Sequence, residues 1–173
     1  MNRAHFIAGV AGLLLAGTRP SFSQSPTELG WGDLIPGGGE PAKPINLGPH
    51  NELKGRVEVP YDNADEVPIR SDLDGELVKI VGYMVPIAYA PGSGGSKVSG
   101  FLLAPFVGAC VHVPPPPANQ IILGNYTPGI EISLRIWVDP VVAIGRMTAK
   151  TIDVDLAKIG YQIEADTLEF YSA

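Results

Sequence analysis

Leu77-Val78-Lys79-Ile80-Val81-Gly82-Tyr83-Met84-Val85 follows the tight-turn pair Asp74-Gly75. The stretch is almost continuously apolar and rich in Val and Ile, which predicts a central β-strand covered on both sides. A glycine inside it, Gly82, marks a bulge or a place where another group packs close to the backbone. Similar segments follow it along the chain. Val98 to Leu103 read as the next strand, reached through the glycine-serine loop Pro91 to Ser96 and ended by Pro105. Phe106 to Val113 read as a further extended piece, and Asn119 to Leu123 regain strand character. Glu131 to Val138 alternate, with Ile132, Leu134, Ile136 and Val138 on one face, and Asp139-Pro140 close the run with a turn. Val141 to Ala149 form another strand, with Gly145 near its middle. Asp153 to Ile159 predict one or two helical turns before a last alternating strand, Tyr161 to Tyr171.

Five or more strands, glycines within strands and one short helix point to an all-β domain. The expected architecture is a small OB-like barrel, closed or partly open, with a small sandwich as the alternative. Ahead of it, residues 24–66 are turn-rich. Pro36, Gly37-Gly38-Gly39, Pro41, Pro44, Gly48 and Pro49 exclude long regular elements. This stretch reads as an irregular wrapping arm held by Trp31, Leu34 and Ile35, because an indole is costly to leave in water. Arg56 to Val59 add at most a short strand. The division expected is 1–23 as a signal peptide, 24–66 as the arm and 67–173 as the barrel.

The N-terminus carries Arg3, then the apolar run Phe6 to Gly17, then a more polar stretch with small residues at Ser21 and Ser23. That is the order of a cleavable secretory signal, and the run is short for a permanent membrane span. It predicts a periplasmic protein that begins near Gln24 and has no membrane span after processing. Cleavage there leaves 10 basic residues against 18 acidic ones. Such a balance repels phosphate backbones and argues against nucleic acid as a partner. At 173 residues, 45% hydrophobic and 17% charged, the chain has material for one core.

One short segment carries candidate chemistry, Gly108-Ala109-Cys110-Val111-His112-Val113-Pro114. Cys110 is the only cysteine and cannot form an internal disulfide. In an extended chain Cys110 and His112 share a face, with Cα atoms about 6.5 Å apart. Thiolate and imidazole both bind zinc or copper. His50 or a carboxylate such as Asp62, Asp65 or Glu66 would complete the ligand set. The alternatives are that Cys110 is a core residue and His112 a satisfied histidine, or that the pair is a nucleophile and base with Asn119 as orienter. Pro114 to Pro117 impose polyproline geometry and act as a rigid spacer or an exposed docking surface. Asn119 and Gln120 read as closing a turn through side-chain to backbone bonds.

Three pieces of sequence together resemble an exported bacterial family known as domain of unknown function 3299. They are Leu73-Asp74-Gly75 with Val78 to Pro86, Gly100-Phe101-Leu102-Leu103-Ala104-Pro105, and Gly108 to Gln120. Val141 to Gly145 and Gly160 to Ile163 fit the same pattern, so the resemblance runs from about Val67 to the C-terminus. It implies a periplasmic or lipid-anchored protein of a Gram-negative bacterium. Some such proteins sit beside ABC-transporter components in zinc-responsive gene clusters. The implied role is an accessory to transition-metal transport or delivery, with an ABC-type metal transporter or another envelope protein as partner. This chain departs from the lipid-anchored members in having no cysteine at the expected cut, and it has no histidine-rich tract.

Overall fold

The computed structural model describes residues 25–44, 66–109, 115–154 and 157–172. The predicted signal peptide, the strand at Arg56 to Val59, and His50, Asp62, Asp65, Cys110 and His112 lie outside them.

Six strands are present: β1 (Thr27–Leu29), β2 (Leu77–Tyr89), β3 (Lys97–Ala104), β4 (Ile122–Glu131), β5 (Val141–Val154) and β6 (Ala157–Phe170). Strands β2, β3, β4, β6 and β5 neighbour one another in that order, and β5 returns to pair with β2, which closes a five-stranded barrel. All contacts in the ring are antiparallel except β4 with β6. The OB-like all-β barrel expected from the sequence is therefore the architecture found.

The closure rests on one long strand used twice. Residues 77–82 of β2 pair with β5, and residues 83–89 pair with β3. β1 runs parallel to residues 78–80, the part of β2 that β3 does not reach. Bulges bend the strands, one between Pro86 and Ala88 and another between Ile144 and Gly145. Inside β2 buried and half-buried residues alternate. Val78, Ile80 and Met84 point into the core, while the other face is only partly covered. The strand is thus not sheathed on both sides as its apolar run suggested.

The main core gathers those residues with Phe101, Leu103, Ile122, Val141, Met147, Tyr161 and Ile163. Leu102, Ile121, Ala157 and Ile159 form a second, smaller cluster. Gly124 sits under the Phe101 ring, where a Cβ would overlap the aromatic carbons.

Two local expectations are corrected. Asp153 to Ile159 do not form the helix: β5 continues to Val154 and β6 starts at Ala157, with Asp153 opposite Lys158. Ile152, Val154, Ala157 and Ile159 pack into the second cluster, which rewards extended chain here. Glu131 to Val138 are not one strand either. Pairing ends with Glu131 opposite Lys97, the Ile132 N–H bonds to the Ser96 carbonyl, and Leu134–Trp137 make one 3₁₀ turn. The partner strand β3 begins at Lys97, so among the described residues the ladder has no continuation there and the backbone bonds locally. The helices of the described residues are all short 3₁₀ turns, and no helix among them is long and apolar enough to cross a membrane.

Candidate functional site

The connection from β3 to β4, residues 105–121, holds the sequence that drew attention. β3 ends at the fully buried Ala104. Phe106 and Ala109 are also buried, and these three pack with Ala42 of the arm. Gly108 turns the chain between them at φ 81°, a conformation that favours glycine. The residues from Pro105 to Gly108 are thus bend and turn, whereas the sequence suggested extended chain from Phe106 onward. Cys110 follows directly on Ala109.

The far flank is equally fixed. Pro116 is buried, Pro115 and Pro117 are half-buried, and Pro117 has polyproline geometry at φ −53°, ψ 151°. Ala118–Gln120 then form a buried 3₁₀ turn. Buried amides need partners, and Gln120 has three. Its Nε2 donates to the Trp31 carbonyl at 2.8 Å and the Asn119 carbonyl at 3.0 Å. Its Oε1 accepts from the Ala42 N–H at 3.2 Å. Asn119 Nδ2 donates to the Pro68 carbonyl at 3.0 Å. These are side-chain to backbone bonds, as expected. Most of them reach distant parts of the chain, so they clamp the arm as well as the turn. Ala42 touches both flanks, through the cluster with Ala109 and through the bond to Gln120. The segment that carries Cys110 and His112 is therefore tied at its base to one point of the arm.

Trp31 and Leu34 anchor the arm as predicted, and Ile35 is half-buried. Trp31 Nε1 donates to the Val81 carbonyl at 2.7 Å. Its ring rests on Gly82, where a Cβ would lie 2.7 Å from Cζ2, so Gly82 marks close packing.

A further clamp was missed in the sequence. Tyr161 is fully buried, donates to the Leu34 carbonyl at 2.6 Å and accepts from the Arg70 N–H at 2.7 Å. Its signal was a phenol on the buried face of an alternating strand, which requires a partner. Burial pushes its phenol above the usual 10.0, and the Arg70 bond offsets part of that. Tyr161→Phe should cost about 1–3 kcal/mol, because the buried Leu34 carbonyl and the half-buried Arg70 N–H lose their partner. The pH dependence follows from the raised value. The phenol's contribution is complete below pH 10.0 and falls as pH rises through the higher folded-state value. Denaturant midpoints of the two proteins should therefore converge at strongly alkaline pH; a constant gap would contradict this role.

Two concavities border the segment. An apolar groove of about 190 Å³ is lined by Tyr83, Met84, Val107, Gly108, Ile136 and Trp137. An open cavity of about 400 Å³ lies beside Ala118 and carries Glu66, Asp153 and Lys158. Glu66, one of the carboxylates nominated from the sequence, thus lies at the C-terminal flank. Among the described residues no three His, Cys, Asp or Glu side chains group as metal ligands. Asn119, considered as an orienter for a cysteine nucleophile, has its amide nitrogen on Pro68.

Comparison with known proteins bears on most of the chain. The family described as "Protein of unknown function (DUF3299)" matches residues 31–170, so the match takes in Trp31 and Leu34 of the arm. A solved crystal structure of a DUF3299 family protein from Pseudomonas aeruginosa PAO1 is 34% identical. The similarity covers 87% of this chain and 99% of that one, with a TM-score of 0.69. No curated protein matches the chain. The family resemblance read from the strand and proline motifs thus holds over most of the sequence, and the chain belongs to the DUF3299 family.

Proposed function

We propose that the protein is an exported accessory of the bacterial envelope that handles a transition metal, zinc or copper, for a transport or delivery system. Cys110 and His112 are the metal-facing pair in this reading, and an ABC-type metal transporter or another envelope protein is the recipient. The signal-like N-terminus supports a periplasmic location, and the net charge of −6 suits a cation better than a nucleic acid. The observation that carries the proposal is the pinned base of the segment. Ala109 on one side and Gln120 on the other are buried and tied through Ala42, so little of the surrounding chain must be ordered when a ligand binds. No catalytic residue is assigned. A docking role for the prolines is less well supported, because Pro116 is buried and its neighbours are half-buried.

The test uses the lone cysteine, since any alkylation of the native protein reports on Cys110 alone. Zinc should slow its alkylation, because coordination occupies the thiolate lone pairs. Cys110→Ser and His112→Ala should each weaken metal binding strongly while leaving the fold intact, with the melting temperature of the metal-free protein unchanged. A Cys110 that resists alkylation equally with and without zinc is a core residue, and the metal reading then fails.

A further inference from the structure

The run Ile132 to Val138 poses a problem that the single chain does not solve. Its alternation would bury four apolar residues in a strand. In the 3₁₀ turn only Ile136 is buried, at 2% exposure. Leu134 is 87% exposed, Val138 64%, Trp137 54% and Ile132 42%. Scattered exposed apolar residues are ordinary, but a cluster of this kind within seven residues marks an interaction site.

The shape beside it is the second observation. Residues three apart eclipse in a 3₁₀ turn, so Leu134 stands in line with Trp137. Trp137 and Val107 wall the apolar groove, and the nearly buried Met84 and Ile136 lie beneath. A projecting leucine and a groove of about 190 Å³ thus occupy the same face. The surrounding charges are also of both signs. Arg135 pairs with Asp139 at 2.6 Å, and Lys97 pairs with Glu131 at 3.2 Å.

We propose that this face is the contact between two copies of the chain in solution, related by a two-fold axis. A two-fold contact uses one self-complementary patch twice. Leu134 of each copy enters the groove of the other, beside Trp137 and Val107. The rim's two ion pairs, Arg135 with Asp139 and Lys97 with Glu131, leave it without net charge, so a second copy meets no charge repulsion there. A lipid surface fits less well. Both cations at the rim are already matched by carboxylates, and the chain is acidic, so no basic excess holds a bilayer.

Sedimentation of the protein, purified as its cell makes it, tests this over concentrations of about 1 μM to 1 mM. The native chain should pass from monomer to dimer within that range. Leu134→Asp should weaken association at least about tenfold. Its melting curve in dilute solution should be unchanged, because Leu134 makes almost no contact within one copy. Thr148→Asp, exposed on β5 opposite Gln162, should leave association intact. Three results would overturn the proposal: a monomer at every concentration, a dimer that survives Leu134→Asp, or flotation with uncharged phosphatidylcholine vesicles that Leu134→Asp abolishes.

Discussion

Trp31→Ala should destabilise the protein by about 3–5 kcal/mol, the range for removing a large aromatic from a packed core. Trp31 is 8% exposed and belongs to the main core although it lies in the arm. Three consequences follow from losing it. The indole leaves a cavity over Gly82, which has no side chain to fill the space. The Val81 carbonyl loses its donor. The loop that presents the Trp31 carbonyl to Gln120 loosens, and Gln120 in turn holds Ala42. The melting temperature should fall by about 10 °C or more for a chain of this length. A drop of only a degree or two would mean that the arm is an appendage and that the clamp on the Cys110 segment carries little energy. Because Gln120 joins the arm to that segment, the same variant should also speed alkylation of Cys110.

How far the sequence could be read depended on whether the local pattern and the tertiary partner agreed. They agreed that β2, β3 and β5 are strands, although the continuous apolar run of β2 overstated the burial of its outer face. They agreed at Trp31 and Leu34, because an indole and a leucine amid prolines and glycines have nowhere to go but the body. They disagreed at Ile132 to Val138. The alternation there is as clean as in any strand, but a strand needs a free edge to pair with, and sequence does not show where edges end. Asp153 to Ile159 failed for the opposite reason. Two aspartates and a lysine among apolar residues resemble a helical turn. The second cluster around Leu102 and Ile121, distant in sequence, selects a hairpin.

The strand register shows the same limit on a finer scale. Tyr161, Ile163 and Ala165 are buried in alternation as expected, but the next buried side chain is Leu168 rather than Thr167. One residue has slipped, because Ile144 pairs with Thr167 while Gly145 pairs with Ala165. A bulge adds a residue on one strand and reverses the faces beyond it. For the candidate site, the Cys-x-His pair was visible from residue types alone. The clamp at its flanks was not, since Trp31, Ala42, the Asn119-Gln120 turn and Tyr161 come from four separate places in the chain.

That bulge yields the second large effect. Gly145→Ala should destabilise the protein by roughly 4 kcal/mol or more, at the extreme of what single substitutions do. At most exposed or loosely packed sites the same change is neutral or mildly stabilising, because alanine restricts the unfolded chain. At Gly145 a Cβ would overlap the Glu164 carbonyl oxygen and lie 2.7 Å from the Ala165 Cα. Both are backbone atoms of β6, so no rotamer change relieves the contact. Either β6 moves away, which breaks the antiparallel ladder from Val141 to Val154, or β5 straightens and the barrel opens. The loss begins at the first carbon, so Gly145→Val should be only modestly worse than Gly145→Ala. Gly82→Ala offers a comparison, because there the two nearest atoms belong to the side chains of Trp31 and Leu103, and the nearest backbone atom, the Ala104 carbonyl oxygen, is 3.0 Å away. Denaturant melts of the three variants should rank Gly82→Ala as the mildest. If Gly145→Ala unfolds within about 0.5 kcal/mol of the native chain, the close approach of β5 and β6 does not shape the barrel and its curvature has another source.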